Sequence, residues 1–588
     1  MRFVPFRLPV RHGGASSPAL RVWRRAAVVL AVAPSLLAAQ EPADSIVTSR
    51  NGMVVSVSAP ASDVGATILR RGGNAIDAAV ATAFALAVTH PSAGNIGGGG
   101  FMVIRPAHGD PITIDYRERA PLASTPTMYL DSTGNIARQR TATGYLAPGV
   151  PGTVRGLALA HKRYGKLTWK DVVAPAVILA EQGFVLTDAL ARSLNREVGG
   201  AMKPYPSSVA AYGKPGGGQW IPGDTLRLPD LGRTLREIAS RGADAFYTGW
   251  IADSIASAMA ANSGLITRKD LAAYEAKVRR PIRGTYRGYE IISMPPPSSG
   301  GVAMVEMLNI LEQFDLPAWG PSSPRSLHYE IEAMRRAYLD RARYLGDPDF
   351  VKDMPLSRLT SKAYAKSLAA TIDPEHASSS VELGKDIVTA VASNEHDETT
   401  HFSVVDKLGN AVSNTFTLEG GYGSHVVVPG TGMILNNEMG DFNKKPGETN
   451  LTGDIGTPAN LIAPGKRMLS SMSPTIVTKN GKVFMVTGSP GGRTIINTVT
   501  ELVLNATTYG MDVRQAVDAP RLHHQWLPDA VTFEREGVAD STVARLTAMG
   551  HTVKFGGGQG DGHSIIVRDG VAYGANDHRS PDSKVSVP

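Results

Sequence analysis

The chain has no cysteine among its 588 residues. This excludes a disulfide framework, a thiolate metal site and a cysteine nucleophile. It does not exclude export, because a chain of this length that is 42% apolar can be held together by its core alone. No basic patch is interleaved with aromatic residues, so nothing suggests a nucleic-acid partner. The glycine run 97–100 is not followed by G-K-[S/T], which removes a phosphate loop and leaves close backbone packing as its reading. His523-His524 and the pair His396 and His401 lack a third ligand at metal spacing, so no metal and no cofactor is expected, and His401 reads as a packed strand residue.

Long apolar runs are also missing, apart from residues 26–39. That run is short for a membrane span. It follows Arg21, Arg24 and Arg25 and ends in small residues, the pattern of a secretory signal. Residues 1–39 are therefore expected to be removed, with the protein in the periplasm or secreted and no stable membrane span left; an uncleaved N-terminal anchor is the alternative. The leader holds six arginines and no acid, and without it 54 basic residues face 53 acidic ones. The formal charge of +7 thus belongs to the leader and says little about partners.

Hydrophobic periodicity predicts helices over 62–71 and 74–88, strands over 101–104 and 113–116, and a mostly helical stretch from about 150 to 390 that includes a helix over 326–343. The polar segment 375–398 reads as a connector. Beyond it the pattern turns to short strands, at 402–406, 411–417, 432–435, 474–478, 482–486, 564–567 and 571–573, with one helix over 493–509.

The most informative run is Asp397-Glu398-Thr399-Thr400-His401-Phe402-Ser403-Val404-Val405-Asp406, a threonine pair at a strand start. A threonine hydroxyl becomes a good nucleophile when a base lies beside it, and the residue's own α-amine is such a base once the residue is N-terminal. Against this, threonine is common in strands.

Further blocks give the pair a context: G-G-N-A-I-D-A-A-V-A at 72–81, N-I-G-G-G-G-F at 95–101, D-Y-R-E-R-A-P at 115–121, N-T-F-T-L-E-G-G-Y-G-S from Asn414, G-M-I-L-N-N-E-M-G-D-F at 432–442, L-S-S-M-S-P-T-I-V at 469–477 and T-G-S-P-G-G at 487–492. In this order they resemble the γ-glutamyltransferases (γ-glutamyl transpeptidases) over essentially the whole chain after the leader. The resemblance implies an α+β fold, the four-layer αββα sandwich of N-terminal nucleophile hydrolases, formed by both halves of a self-cleaved precursor. The halves would be a large subunit, 40–398, and a small catalytic subunit, 399–588.

It also implies roles. Thr399 would be the nucleophile and new N-terminus, with Thr417 hydrogen-bonded to its hydroxyl. Gly491 and Gly492 would supply backbone N–H groups to the oxyanion. Arg117, Ser470 and Ser471 would hold the α-carboxylate of a γ-glutamyl group, and Glu419, Glu438 and Asp441 its α-ammonium. Substrates would be glutathione and related compounds, with water, amino acids or peptides as acceptors. Two departures from the family pattern stand out: Glu419 where many members carry Asn, and Thr452 in the lid-like loop 444–466 where several carry an aromatic residue. A related cephalosporin or glutaryl acylase and a non-catalytic homologue are the competing readings.

Overall fold

The computed structural model describes residues 45–388, 399–535 and 537–588. The predicted leader 1–39, the end of the connector and Glu398, on the other side of the predicted cut, lie outside the described residues.

Fourteen strands make two sheets among the described residues. In chain order they are β1 (Val47–Ser49), β2 (Gly52–Ser56), β3 (Gly99–Arg105), β4 (Ile112–Asp115), β5 (Lys277–Arg279), β6 (Ile282–Tyr286), β7 (Tyr289–Ser293), β8 (Thr400–Asp406), β9 (Ala411–Thr417), β10 (Thr475–Lys479), β11 (Lys482–Thr487), β12 (Ser564–Arg568), β13 (Val571–Ala575) and β14 (Lys584–Ser586). One sheet has the order β1-β13-β12-β11-β10-β7-β6 and the other β14-β2-β8-β9-β3-β4-β5. Both sheets contain strands from before residue 398 and strands from after 399, so neither stretch of chain has a complete sheet of its own.

The period of two along each strand builds the layers. Met53, Val55, Val103 and Val405 from one sheet meet Ile292, Ile476, Val486 and Ile565 from the other. Their neighbours point outward: Val54, Met102, Ile104 and Val404 pack against helices α1 (Ala59–Arg70) and α2 (Ala75–Thr89) and the helices that follow. Ile291, Val477, Met485 and Ile566 pack against α3 (Gly300–Leu311), α4 (Pro324–Tyr344) and α5 (Ile495–Thr507). Helix, sheet, sheet and helix are thus stacked in four layers, as the αββα reading expects. Helix α2 is almost all small and apolar, is buried on every side, and starts with an Asn74–Asp77 capping box.

One sequence expectation is extended and one is corrected. The stretch 150–390 also holds β5, β6 and β7, whose short, partly exposed strands carry a weak alternation. Segment 432–435 is not a sheet strand. It folds back on its own turn, with Met433 O accepting from Val428 N and Leu435 N donating to Val426 O, and it pairs only as an isolated Val427–Ile434 bridge. No helix among the described residues is long and apolar enough to cross a membrane.

Candidate active site

Strands β8 and β9 are antiparallel neighbours with Thr400 opposite Phe416. Continuing that register by one residue sets Thr399 across from Thr417. Thr417 is buried; its Oγ1 accepts from the N–H of Glu419 at 2.8 Å and its carbonyl from Asn95 Nδ2 at 2.8 Å. The glycine run beside it is a matter of space. A Cβ on Gly98 would lie 2.1 Å from Thr417 O, one on Gly97 2.0 Å from Ile434 O, and one on Gly99 2.5 Å from Glu118 Oε2. Only glycine lets these segments meet, as the sequence reading of close packing expects.

After β11 the chain turns through Ser489 and Pro490 to Gly491 (φ 124°) and Gly492 (φ 53°), backbone that side chains rarely adopt. A three-residue 3-10 turn, Gly492–Thr494, precedes helix α5. Thr494 ties off the Gly491 carbonyl through its N–H at 3.0 Å and its Oγ1 at 2.7 Å. Ser489 Oγ donates to Pro490 O at 2.7 Å and accepts from Asp561 N at 2.9 Å, so the loop 560–561 buttresses this turn from behind.

The polar side chains converge from several segments of the chain on one pocket. Its lining includes Thr399, Thr417, Gly492, Arg117, Glu419, Glu438, Asp441, Ser470 and Ser471. Every sequence-predicted site residue except Gly491, which directly precedes Gly492, borders it.

Arg117 follows β4 and is fully buried. Its N–H donates to Asp115 Oδ1 at 3.0 Å and its carbonyl accepts from Tyr274 OH at 2.8 Å. Its guanidinium pairs with Glu438 through Nη1 and with Asp441 through Nη2. The acids sit on the 3-10 turn Glu438–Asp441, held by Asn436, whose Oδ1 accepts from Glu438 N at 3.0 Å and from Gly149 N at 2.8 Å. Ser470 is held by the segment at Ser299, whose N–H and Oγ donate to Ser470 O at 2.8 and 2.6 Å.

Two residues were missed by sequence reasoning. Glu118 adjoins Arg117 in the D-Y-R-E block, and its adjacency was the signal. It is fully buried, 3.7 Å from Arg117 Nη1, and neither carboxyl oxygen has a hydrogen-bond donor among the described residues. Arg341, on α4, donates to Ser471 Oγ at 3.1 Å and to Ser299 Oγ at 2.9 Å. It is one arginine of a long helix, and nothing local marks it.

The electrostatics follow from burial. Three carboxyl groups, Glu118, Glu438 and Asp441, crowd the Arg117 guanidinium. Burial pushes Glu118 up to about 7 against the pull of Arg117. Burial likewise lifts Glu438 well above the carboxylate range, opposed by Arg117 and reinforced by Glu118, Asp441 and Glu419. Burial alone would lower Arg117, but the surrounding carboxylates outweigh it and keep the guanidinium charged. A site so rich in acid is suited to receive a cation.

In the lid-like loop, Thr452 Oγ1 is turned onto Asn450 Oδ1 at 3.0 Å. The loop is tied down by Arg493 Nη1 on Gly453 O and by Arg138 on Asp454, each at 2.8 Å. His401 is a buried strand residue bonded to Thr415 and Ser403, at 2.8 and 3.1 Å. Among the described residues no three His, Asp or Glu side chains cluster as metal ligands.

Comparison with known proteins adds four likenesses to this geometry. A family model described as gamma-glutamyltranspeptidase matches residues 61–587. The glutathione hydrolase proenzyme of Escherichia coli K12 is 49% identical over 539 residues, covering 91% of this chain and 92% of that protein. Among solved structures, a cephalosporin acylase from Bacillus halodurans superposes with a TM-score of 0.80 at 27% identity, covering 95% of this chain and 99% of that one. The gamma-glutamyltranspeptidase of Helicobacter pylori superposes with a TM-score of 0.53 at 46% identity, over 54% of this chain and 91% of that one.

Proposed function

Because the chain belongs to the gamma-glutamyltranspeptidase family, we propose that Thr399 is the residue that first cuts the precursor and then carries the γ-glutamyl group. The enzyme is a γ-glutamyltransferase and glutathione hydrolase made as a self-cleaving precursor. In the first step the Thr399 hydroxyl attacks the Glu398 carbonyl. The peptide C–N bond breaks, the Thr399 nitrogen takes up a proton, and an ester links the halves until water releases them as 40–398 and 399–588. The interleaved strands support the reading that both halves stay together after the cut.

The freed α-amine of Thr399 then accepts the hydroxyl proton as the oxygen attacks the γ-amide carbonyl. Thr417 orients that hydroxyl. The N–H groups of Gly491 and Gly492 hold the oxyanion, a contribution typically worth about 3 kcal/mol per donor. The leaving amine takes the proton, and water or an acceptor amine next attacks the γ-glutamyl-Thr399 ester.

Recognition rests on ion-pair exchange. The substrate α-ammonium takes up Asp441, with Glu419 and Glu438 as further acceptors. This frees Arg117 Nη2 to join Ser470 and Ser471 on the α-carboxylate. The leader directs the chain to the periplasm or beyond.

The observation that carries this reading is the single cavity that joins Thr399, Thr417 and Gly492 to Arg117 and its acids. The likeness to a cephalosporin acylase raises the competing reading, but an acylase for a glutaryl group, which lacks the α-amine, would not need Glu419, Glu438 and Asp441 as acceptors. The purified enzyme is expected to turn over γ-glutamyl-p-nitroanilide and to leave glutaryl-p-nitroanilide nearly untouched; the reverse preference would assign it to the acylases.

A further inference from the structure

The near balance of the chain without its leader, 54 basic residues to 53 acidic, conceals one uneven place. The hairpins β8–β9 and β10–β11 both point their open ends at the candidate active site, where Thr399, Thr417 and the P-G-G turn lie. Their closed ends gather at the opposite end of the sandwich, beside the turns that join β1 to β2 and β12 to β13. β8 and β9 are each seven residues long, so these turns lie roughly 20 Å from the threonines.

Six cations line an open groove among the turns: Arg50, Arg105, Lys407, Lys479, Lys482 and Arg568. None pairs with a carboxylate among the described residues. Arg50 and Arg105 donate to backbone carbonyls, and Lys479 lies over the Tyr289 ring. Lys407, Lys482 and Arg568 are exposed and have no side-chain partner among the described residues. Two acids share the groove, Asp406 and Asp569. Asp406 is spent on its own turn, accepting from Leu408 N and Asn410 Nδ2, and on Ala75 N. Leu408, in the β8–β9 turn, is 68% exposed, and Val405, Val483 and Val567 give the groove an apolar floor.

We propose that this end of the sandwich docks on an anionic phospholipid surface, with Lys407, Lys482 and Arg568 on the head groups and Leu408 in the interface. Cations near such a surface are drawn to its negative potential, and an apolar tip between them gains by leaving water at the acyl boundary. A soluble acidic polymer would meet the cations but leave Leu408 in water. Docking by the turns leaves the active-site pocket, at the other end of the strands, facing away from the membrane and open to dissolved substrates.

The test is co-sedimentation of the processed enzyme, freed of residues 1–39, with two kinds of vesicle at low salt: phosphatidylcholine alone, and equimolar phosphatidylcholine and phosphatidylglycerol. The enzyme is expected to partition about 100-fold or more in favour of the anionic vesicles, and salt should release it by screening exposed charge. Each cation near the surface is worth about fivefold, so Lys407→Gln, Lys482→Gln and Arg568→Gln together should lower the partition by about 100-fold. Leu408→Ser should lower it by a smaller factor that salt does not remove. Three exposed cations on the helices Thr153–Tyr164 and Trp169–Gln182 serve as the control for net charge. Lys162→Gln, Arg163→Gln and Lys170→Gln together should leave the partition within about twofold of wild type. Equal partition onto the two kinds of vesicle, or as large a loss in the control as in the turn variant, would overturn the docking. So would retention by soluble poly-L-glutamate with none on the vesicles, which would assign the groove to a soluble polyanion.

Discussion

The two ends of the candidate active-site pocket are built on opposite principles. The end proposed for the reaction consists of the hydroxyls of Thr399 and Thr417 and the backbone of Gly491 and Gly492. The end proposed for recognition is built around the buried guanidinium of Arg117, paired with the carboxyl groups of Glu438 and Asp441 and close to Glu118. Neutral donors stabilise an oxyanion without prejudging which acyl group bears it. Buried charge does prejudge it, because an ionised group out of water is stable only with its counterpart. A scaffold divided in this way can change substrate at one end and keep its chemistry at the other, in keeping with its likeness to both a glutathione hydrolase and a cephalosporin acylase.

Substitutions at the two ends should therefore behave differently. Thr399→Ala should abolish both functions, leaving one uncut band on a denaturing gel and lowering turnover by about 10⁴-fold or more. Gly491→Ala forces a side chain into positive-φ backbone and against Thr494 Oγ1, 2.5 Å from its Cβ. It should lower kcat by roughly 10²- to 10³-fold for every acyl donor alike. Asp441→Ala should lower kcat/KM by roughly 100-fold for γ-glutamyl donors and still yield two bands. Equal damage to processing and to turnover would make Asp441 a structural residue and erase the division.

The division was only partly legible in the sequence. The reacting end is local: a threonine pair at a strand start, a short hairpin and a P-G-G turn are each contained in a few consecutive residues. The recognising end is assembled from segments more than 300 residues apart, as Arg117 and Glu438 show, and only the family resemblance joined them. Arg341 was invisible because helical periodicity explains α4 without it. Strands β5 and β6 escaped because short, partly exposed edge strands carry little pattern, β7 because its five residues are too few to show a period, and 432–435 misled because an apolar run that ends in a turn looks like a strand.

The smallest effect concerns pH. Glu118 has an ordinary carboxyl pKa of 4.5 that burial lifts to about 7 in the fold. Between those values the folded state holds a proton that the unfolded chain has lost, so this group's contribution to stability falls as pH rises from about 5 to 7. Glu118→Gln should remove that slope. Its Tm relative to wild type should rise by a few degrees between pH 5 and pH 8, equivalent to about 2–3 kcal/mol at most. A Tm difference independent of pH would mean that Glu118 is ionised throughout.

The most direct measurement is N-terminal sequencing of the smaller fragment of purified enzyme. The expected sequence begins Thr-Thr-His-Phe, from Thr399. A fragment that begins elsewhere, or an intact chain that turns over γ-glutamyl substrates, would contradict the role of Thr399 as both scissile residue and nucleophile.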